Sequence, residues 1–265
     1  MRTLATRAGR QAEGLLLLEG THLLQEVLRQ GNAPEEIIAT EAWLQCHPAL
    51  AERCPQARWR IVTDEVLRAA LTTVTPDGVA CLSPLDRLPT VPPELDFLLV
   101  LDRIQDPGNL GTLLRTALAA DINAVWMGAG VDPLGTKVLR ASAGALLQLP
   151  HQRFGPSEAV AISQLQQELT QLVALGVQVV ATLVPDSNKA DPPSPYWDLD
   201  WTLPTALVLG TEGAGLHPDL QACCTHAVTL PHSARVESLN VASAAVPLLL
   251  ERRRATMTAT SQQFG

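Results

Sequence analysis

The chain has few aromatic residues, no C-x-x-C motif and no hydrophobic run long enough to span a membrane. Aromatic side chains make up 3% of its 265 residues, whereas proteins that stack single-stranded bases favour such side chains. The cysteines form an odd set without C-x-x-C spacing, which excludes a disulfide framework and a zinc site and predicts reduced thiols and no bound metal. The longest apolar stretch, around 241–250, is about half of the ~20 residues that span a bilayer. We therefore expect a soluble, cytoplasmic protein with no membrane partner.

Positive charge is also scarce. The chain has 19 Lys and Arg against 27 Asp and Glu, a formal net charge of −8, which disfavours a protein that coats nucleic acid by bulk charge. Two local basic clusters remain, one of Arg2, Arg7 and Arg10 and one at residues 252–254. Each cluster is interpreted either as a contact for RNA or as a solvated chain end.

The sequence predicts two domains joined by a linker. Residues 83–95, SPLDRLPTVPPEL, contain four prolines and no apolar periodicity. In residues 1–82, strand-like runs such as GLLLLEG, EEIIATE and RWRIV alternate with helical segments, which predicts a small α/β layer. In residues 96–265, wholly apolar runs at 96–102, 124–128, 177–184 and 205–210 alternate with amphipathic helices. This pattern is typical of a parallel sheet covered on both faces.

Residues 106–122, DPGNLGTLLRTALAADI, predict a helix with an arginine in its middle. Asn109 is a good candidate N-cap after a Pro-Gly turn. Arg115 borders the apolar face and has only Gly111 and Ala119 one turn away. It is interpreted either as an ordinary surface arginine or as an arginine whose guanidinium lies across a stretch of helix that carries only small side chains.

A glycine cluster follows the strand at 205–210, in the segment TALVLGTEGAGLHPDL. Parallel α/β folds bind ligands at the carboxyl ends of their strands. Because Glu212 stands where G-x-G-x-x-G requires a glycine and no Walker lysine is present, the loop disfavours a dinucleotide-dependent oxidoreductase and an NTP site. The glycines indicate either a close backbone approach to a ligand or a tight turn.

The third segment, LPHSARVESLNVASAAVPLLLERRR at 230–254, leads from a strand end into an alanine-rich helix. Ser238 is its candidate N-cap. The small residues of this helix allow close packing, so an ordinary capped core helix is the alternative to a functional segment.

Together and in this order, the three segments resemble the SpoU/TrmH family of RNA ribose 2′-O-methyltransferases, part of the SPOUT class. The matching motifs are Asn109-x-Gly111-x-x-x-Arg115-Thr116-Ala117, Leu209-Gly210-x-Glu212-Gly213-x-Gly215-Leu216, and Leu230-Pro231 with Ser238-Leu239-Asn240-Val241-Ala242 and Leu250-Glu251. Residues 14–45 resemble the family's small substrate-binding domain, which is similar to ribosomal protein L30e.

The resemblance implies an α/β fold: a SPOUT-type parallel sheet with a C-terminal trefoil knot, preceded by an L30e-like domain. It also implies S-adenosylmethionine as cofactor, held largely by backbone groups at Gly210, Leu230 and Leu239. The expected partners are RNA, rRNA before tRNA, and a second copy of the chain in a homodimer.

The resemblance also implies catalytic roles. Arg115 matches the family's catalytic arginine, and because arginine stays protonated we expect it to stabilise the developing alkoxide and to anchor a phosphate. Asn109 would orient Arg115 or the RNA, Glu212 would pair with one of these two, and Ser238 and Asn240 would hold the loop and the nucleotide. The alternative function is a non-catalytic RNA-binding or ribosome-assembly factor on the same fold.

Overall fold

The computed structural model describes residues 1–184, 192–211, 213–233 and 235–263, with side chains to residue 258. Contacts divide the chain into two compact units. The first unit comprises Met1–Pro89 together with Asp132–Gln148, and the second comprises Thr90–Val131 together with the chain from Leu149 onward.

The elements alternate along the chain as a layered α/β protein requires. The strands are β1 (Leu15–Glu19), β2 (Glu36–Thr40), β3 (Arg58–Val62), β4 (Val79–Pro84), β5 (Phe97–Leu101), β6 (Ala124–Met127), β7 (His151–Arg153), β8 (Gln178–Thr182), β9 (Ser194–Pro195), β10 (Thr205–Leu209) and β11 (His226–Thr229). The helices are α1 (Arg7–Glu13), α2 (Thr21–Arg29), α3 (Glu41–Cys46), α4 (Pro48–Glu52), α5 (Asp64–Ala70), α6 (Pro107–Ala119), α7 (Thr136–Ala141), α8 (Glu158–Ala174), α9 (Pro218–Gln221) and α10 (Val241–Gln263).

The sheet of the first unit has the strand order β1-β4-β2-β3. Strand β4 is antiparallel to both of its neighbours, whereas β2 and β3 are parallel. The sequence predicted β1, β2 and β3 but not β4, whose last residues fall inside the predicted linker at 83–95. Pro84 disfavours a strand because it has no backbone N–H to donate to a neighbouring strand. It is the last residue of β4, where that hydrogen bond is not needed. The segment AWLQCHPALAER at 42–53 has the composition of one helix, but it forms two, α3 and α4, because Pro48 lacks the N–H that a continuous helix needs at that position.

Residues 132–148 belong to the first unit although the sequence analysis assigned them to the second domain. Two ion pairs hold them there. Arg10, whose side chain is 2% exposed, pairs with Asp132, and Arg140 donates to Glu19 at 2.9 Å. The chain therefore crosses between the units three times, at 89/90, 131/132 and 148/149.

The sheet of the second unit is parallel throughout the residues that are described, with the order β7-β6-β5-β10-β8-β11-β9. The four predicted apolar runs form β5, β6, β8 and β10, which confirms the predicted parallel sheet. Residues such as Leu98, Val179 and Val208 are completely or almost completely buried, because helices cover both faces of such a sheet. The short edge strands β7 and β9 lack such a run and were not predicted.

The predicted N-caps of the two motif helices are wrong. Helix α6 begins at Pro107, and the Asp106 carboxylate caps it by accepting a hydrogen bond from the Asn109 N–H at 2.8 Å. Pro107 suits the first helical position because its φ is already helical and no N–H is lost. Helix α10 begins at Val241, and the Asn240 Oδ1 accepts from the backbone N–H of Ala242 at 3.0 Å. Ser238 lies in the preceding loop.

Both basic clusters are partly internal. The Arg10 guanidinium is buried against Asp132, and the Arg252 guanidinium is buried against Asp96 at 2.6 Å and over the Phe97 ring. These two arginines are therefore neither solvated chain ends nor exposed RNA contacts, because each has a buried side chain that pairs with a more exposed carboxylate of its own unit.

No helix in the described part of the chain is long and apolar enough to cross a membrane. Within the same residues, no group of three or more His, Cys, Asp or Glu side chains is placed to hold a metal ion. The cysteines are free thiols, and burial raises the pKa of Cys224 to about 12.

Candidate active site

A cavity of about 760 Å³ lies at the carboxyl ends of β8, β10 and β11. Its wall comes from the residues that follow each of these strands and from the loop before α10. Parallel strands that end at one edge bring their following loops together, and ligands of such sheets bind at this edge. Leucines such as Leu209, Leu216 and Leu230 supply apolar walls.

The glycine loop after β10 folds back on itself. The Thr211 and Gly215 backbones exchange N–H···O hydrogen bonds of 3.2 and 3.0 Å, and Gly215 has a φ of +67°. A Cβ at Gly210 would lie 2.4 Å from both the Gly215 carbonyl carbon and the Leu216 nitrogen. The sequence left two interpretations of the glycines, a close approach to a ligand or a tight turn, and at Gly210 the structure shows the tight turn, because the group that approaches is the loop's own main chain.

A buried carboxylate that the sequence analysis missed holds the end of this loop. Asp102 follows β5 directly and is completely buried. Its Oδ2 accepts a hydrogen bond from the His217 N–H at 2.9 Å, and both of its oxygens accept from the Arg103 Nε at 3.1 Å. The Arg103 Nη2 reaches the Gly215 carbonyl at 3.5 Å, and its Nη1 reaches Glu158 at 3.3 Å. An Asp-Arg pair at the carboxyl end of a buried strand was the available signal.

The Asp102–Arg103 pair shapes the electrostatics of this edge. Burial lowers the pKa of the Arg103 guanidinium, but its hydrogen bond to Asp102 and the charges of Asp102 and Glu158 outweigh burial, so the pKa rises overall. Arg103 therefore remains a fixed cation beside the glycine loop. Its backbone φ of +54° is unusual for a non-glycine residue, and the pairing with Asp102 holds the side chain in place.

We expect Asp102→Ala to destabilise the protein by about 3 kcal/mol, because it removes the acceptor of the Arg103 Nε and of the His217 backbone N–H. Urea unfolding of the full chain measures this change. Glu158→Gln is the matched control: Glu158 contacts the same guanidinium but is exposed, so its loss should cost less than about 1 kcal/mol. Equal destabilisation by the two variants would contradict the role assigned to Asp102.

The structure brings together the three predicted cofactor-binding residues. Gly210, Leu230 and Leu239 line the cavity, and Ser238 lines it beside them. The Asn240 Nδ2 donates to the Asn109 Oδ1 at 2.9 Å, which joins the start of α10 to the start of α6. Glu212 lies outside the described residues.

Arg115 stands apart from this group. Its side chain is exposed on α6, and it is not among the described residues that line the cavity. Because six residues correspond to about 1.7 helical turns, Arg115 and Asn109 point to different sides of α6. Gly111, one turn before Arg115, is buried in the packing of α6. The guanidinium is therefore solvent-accessible, available to a partner outside the unit.

The SpoU rRNA Methylase family model matches residues 96–249 of the chain, and the MRM3-like substrate binding domain model matches residues 1–81. The chain belongs to the SpoU rRNA methylase family. This membership confirms the resemblance predicted from the three motifs, together with the predicted α/β fold and its small N-terminal substrate-binding domain.

Curated relatives of the family match nearly the whole chain. An uncharacterised tRNA/rRNA methyltransferase of Synechocystis sp. is 39% identical over 98% of this chain and 92% of its own length. The 23S rRNA (guanosine(2553)-2′-O)-methyltransferase RlmP of Bacillus subtilis is 30% identical over 94% of this chain and 93% of its own length.

Solved SpoU structures share the architecture. A TrmH-family protein of Porphyromonas gingivalis superposes with a TM-score of 0.77 and 30% identity, covering 96% of this chain and 95% of its own. An rRNA methyltransferase of Sinorhizobium meliloti, solved with bound AdoMet, has a TM-score of 0.74 and 25% identity over 96% of this chain and 92% of its own.

Proposed function

We propose that this SpoU methylase transfers a methyl group from S-adenosylmethionine to a ribose 2′-hydroxyl of ribosomal RNA. The observation that carries the proposal is the cavity that Gly210 of the second motif lines together with Leu230, Ser238 and Leu239 of the third. The substrate class follows the relatives, such as RlmP, whose names specify 2′-O-methylation of 23S rRNA.

The cavity suits S-adenosylmethionine. Its volume lies in the range of small-molecule sites, and it combines leucine walls with exposed main chain at the glycine loop. The Thr182 hydroxyl, at the end of β8, lines the cavity and is buried without a hydrogen-bond partner among the described residues. A buried hydroxyl of this kind is stabilised when a ligand supplies the missing hydrogen bond.

The cofactor, when bound, supplies a methyl group made electrophilic by its sulfonium, so the chain's residues need only prepare the hydroxyl. We assign Arg115 the stabilisation of the developing alkoxide and the anchoring of the adjacent phosphate, because an exposed guanidinium is a permanent cation. Asn109 and Asn240, already bonded to each other, fix the two helix starts beside the nucleotide. Ser238 would position the ribose, and Glu212 would orient Arg115 or Asn109.

We further propose a homodimer. On α10, Val246, Leu250 and Met257 are 37%, 42% and 61% exposed and recur at helical spacing. Such an apolar stripe is stabilised when a second copy covers it. Because Arg115 is exposed on α6, which packs against α10, a dimer through this helix pair would enclose the guanidinium near the interface.

The remaining assignments follow the family. Residues 1–82 would bind the RNA, and residues 83–95 would link them to the catalytic domain. Residues 96–265 would catalyse methyl transfer, and the loops around the cavity would form a trefoil knot. Free thiols such as Cys46 and Cys81 are consistent with action in the cytoplasm.

Incubation of the full chain with tritiated S-adenosylmethionine and unmodified rRNA should place label in the RNA. Because a 2′-O-methyl group removes the hydroxyl that alkali uses to cleave RNA, the label should be recovered in alkali-resistant dinucleotides. Label in mononucleotides would indicate base methylation and would contradict the proposal. A chain that binds rRNA without incorporating label would support the alternative of a non-catalytic assembly factor.

A further inference from the structure

A second cavity, of about 320 Å³, lies within the first unit and plays no part in the site described above. It is bounded by the end of β1 and the start of α2, by the segment at residues 71–77, and by Arg140 of α7. One guanidinium, that of Arg140, and two carboxylates, those of Glu19 and Asp77, line this cavity. The other lining residues include His22, Leu23, Leu71 and Pro76.

The Arg140 guanidinium is held in place before any ligand binds. Its Nη1 donates to the Glu19 Oε2 at 2.9 Å and to the Thr73 Oγ1 at 2.7 Å. Glu19 is almost completely buried, and its oxygens also accept from Thr72 and Thr73, including both of their backbone N–H groups. Glu19 is therefore a saturated internal anchor. Both described bonds of Arg140 use Nη1, and its side chain is 33% exposed, so its other N–H groups remain to bind an acceptor.

Asp77 is fixed in a similar way. Its Oδ2 accepts from the Thr21 N–H at 2.8 Å. A Cβ at Gly20, where φ is +105°, would lie 3.5 Å from the Asp77 oxygens, so the chain turns closely past this carboxylate. The second oxygen, Oδ1, remains as an acceptor at the cavity wall.

A carboxylate beside a guanidinium disfavours a phosphate, since the negative charge of Asp77 repels it. The pair suits a ligand edge that carries acceptors and donors together. Guanine offers O6 and N7 as acceptors for an arginine and N1–H and N2–H as donors for a carboxylate. Single-stranded RNA presents such unstacked bases, and apolar side chains can cover the base plane.

We propose that this cavity binds one unstacked guanine of the RNA substrate, with Arg140 and Asp77 reading its edges. The inference rests on the proposed function, which supplies RNA as the ligand. It assigns to the first unit a specificity pocket for a single base.

Binding of the full chain to fluorescein-labelled hexanucleotides tests this proposal by fluorescence anisotropy. The probes are UUGUUU, UUAUUU, UUCUUU and UUUUUU. We expect UUGUUU to bind about tenfold more tightly than the others. Asp77→Asn keeps an oxygen for the Thr21 N–H but replaces the acceptor facing guanine with an amide, so the guanine preference should disappear.

Two further variants form a matched pair. Thr75→Met should fill part of the cavity and weaken UUGUUU binding about tenfold, because Thr75 lines it. Val74→Met should leave the affinity for UUGUUU unchanged, because Val74 is 90% exposed and is not among the lining residues.

Equal affinity for all four hexanucleotides, or an unchanged guanine preference in folded Asp77→Asn, overturns the proposal. Cofactor binding and methyl transfer are assayed on the same preparations, so guanine preference without methyl transfer would overturn only the proposed function.

Discussion

Replacing Arg115 with alanine is expected to lower the rate of methyl transfer to rRNA about 10²- to 10³-fold, the loss typical when one donor to a developing oxyanion is removed. The variant should fold normally, because the side chain is exposed on α6 and does not line the cofactor cavity. Its affinity for S-adenosylmethionine should therefore stay within about twofold of the unmodified chain. Single-turnover tritium transfer measures the rate, and calorimetry measures the cofactor affinity.

Two variants serve as controls for Arg115. Arg115→Lys keeps the charge but loses the planar fork that contacts two oxygens at once, so it should recover only part of the rate. Arg87→Ala removes another exposed arginine, with a side chain 65% exposed, that lies outside the proposed RNA-binding residues 1–82, and should leave the single-turnover rate unchanged. If Arg115→Ala retains a third or more of the rate, the arginine has no role in the chemistry.

The sequence predicted those parts of the fold that rest on local patterns. Wholly apolar runs identified β5, β6, β8 and β10, because burial on both sheet faces leaves no alternation of polar residues. Helix starts were less well predicted. Asp106 and Asn109 are both good caps within one turn, and Pro107 favours the earlier start.

Interactions between distant residues could not be predicted. Asp102 and His217 meet only when β5 and β10 pair, so the Asp-Arg sequence at the end of β5 marks a candidate residue but does not identify His217 as its partner. Likewise, nothing in the sequence around α7 shows that its Arg140 pairs with Glu19, which lies 121 residues earlier in the chain. Arg10 and Arg252 were expected at the surface, since arginines are rarely buried unless paired, and their partners lie more than a hundred residues away.

The residues proposed to hold the cofactor were chosen from the order of the motifs, and the structure shows a physical reason for the residue type at one of them. Leu230 and Leu239 face the cavity as side chains of ordinary size. At Gly210, by contrast, the absence of a side chain is a geometric requirement of the loop. Under the proposed function, Leu230 and Leu239 would contact the cofactor, whereas Gly210 would determine the shape of the loop that the cofactor contacts.

Gly210→Ala is expected to weaken S-adenosylmethionine binding about 100-fold. The new Cβ would lie within 2.4 Å of the Gly215 and Leu216 main chain, and because these atoms are backbone the loop itself must move. A displacement of about 1 Å in a positioned site is enough for an effect of this size. The loop follows the carboxyl end of β10 and is partly exposed, so the domain should remain folded. We expect a loss of stability of about 1–3 kcal/mol. Calorimetric titration with the cofactor measures the affinity, and urea unfolding measures the stability.

Gly213→Ala is the matched control for Gly210→Ala within the same loop. A Cβ at Gly213 would meet no atom within 4 Å, and Gly213 is not among the glycines with positive φ. Gly213 also lines the cavity, but a methyl group there displaces no main chain, so its cofactor affinity should fall far less than that of Gly210→Ala. If both alanine variants weaken binding equally, the loop tolerates no side chain because the ligand itself fills the space, and the argument from the fold-back at Gly210 fails. If only Gly210→Ala weakens binding, the fold-back of the loop determines where the main-chain groups meet the cofactor.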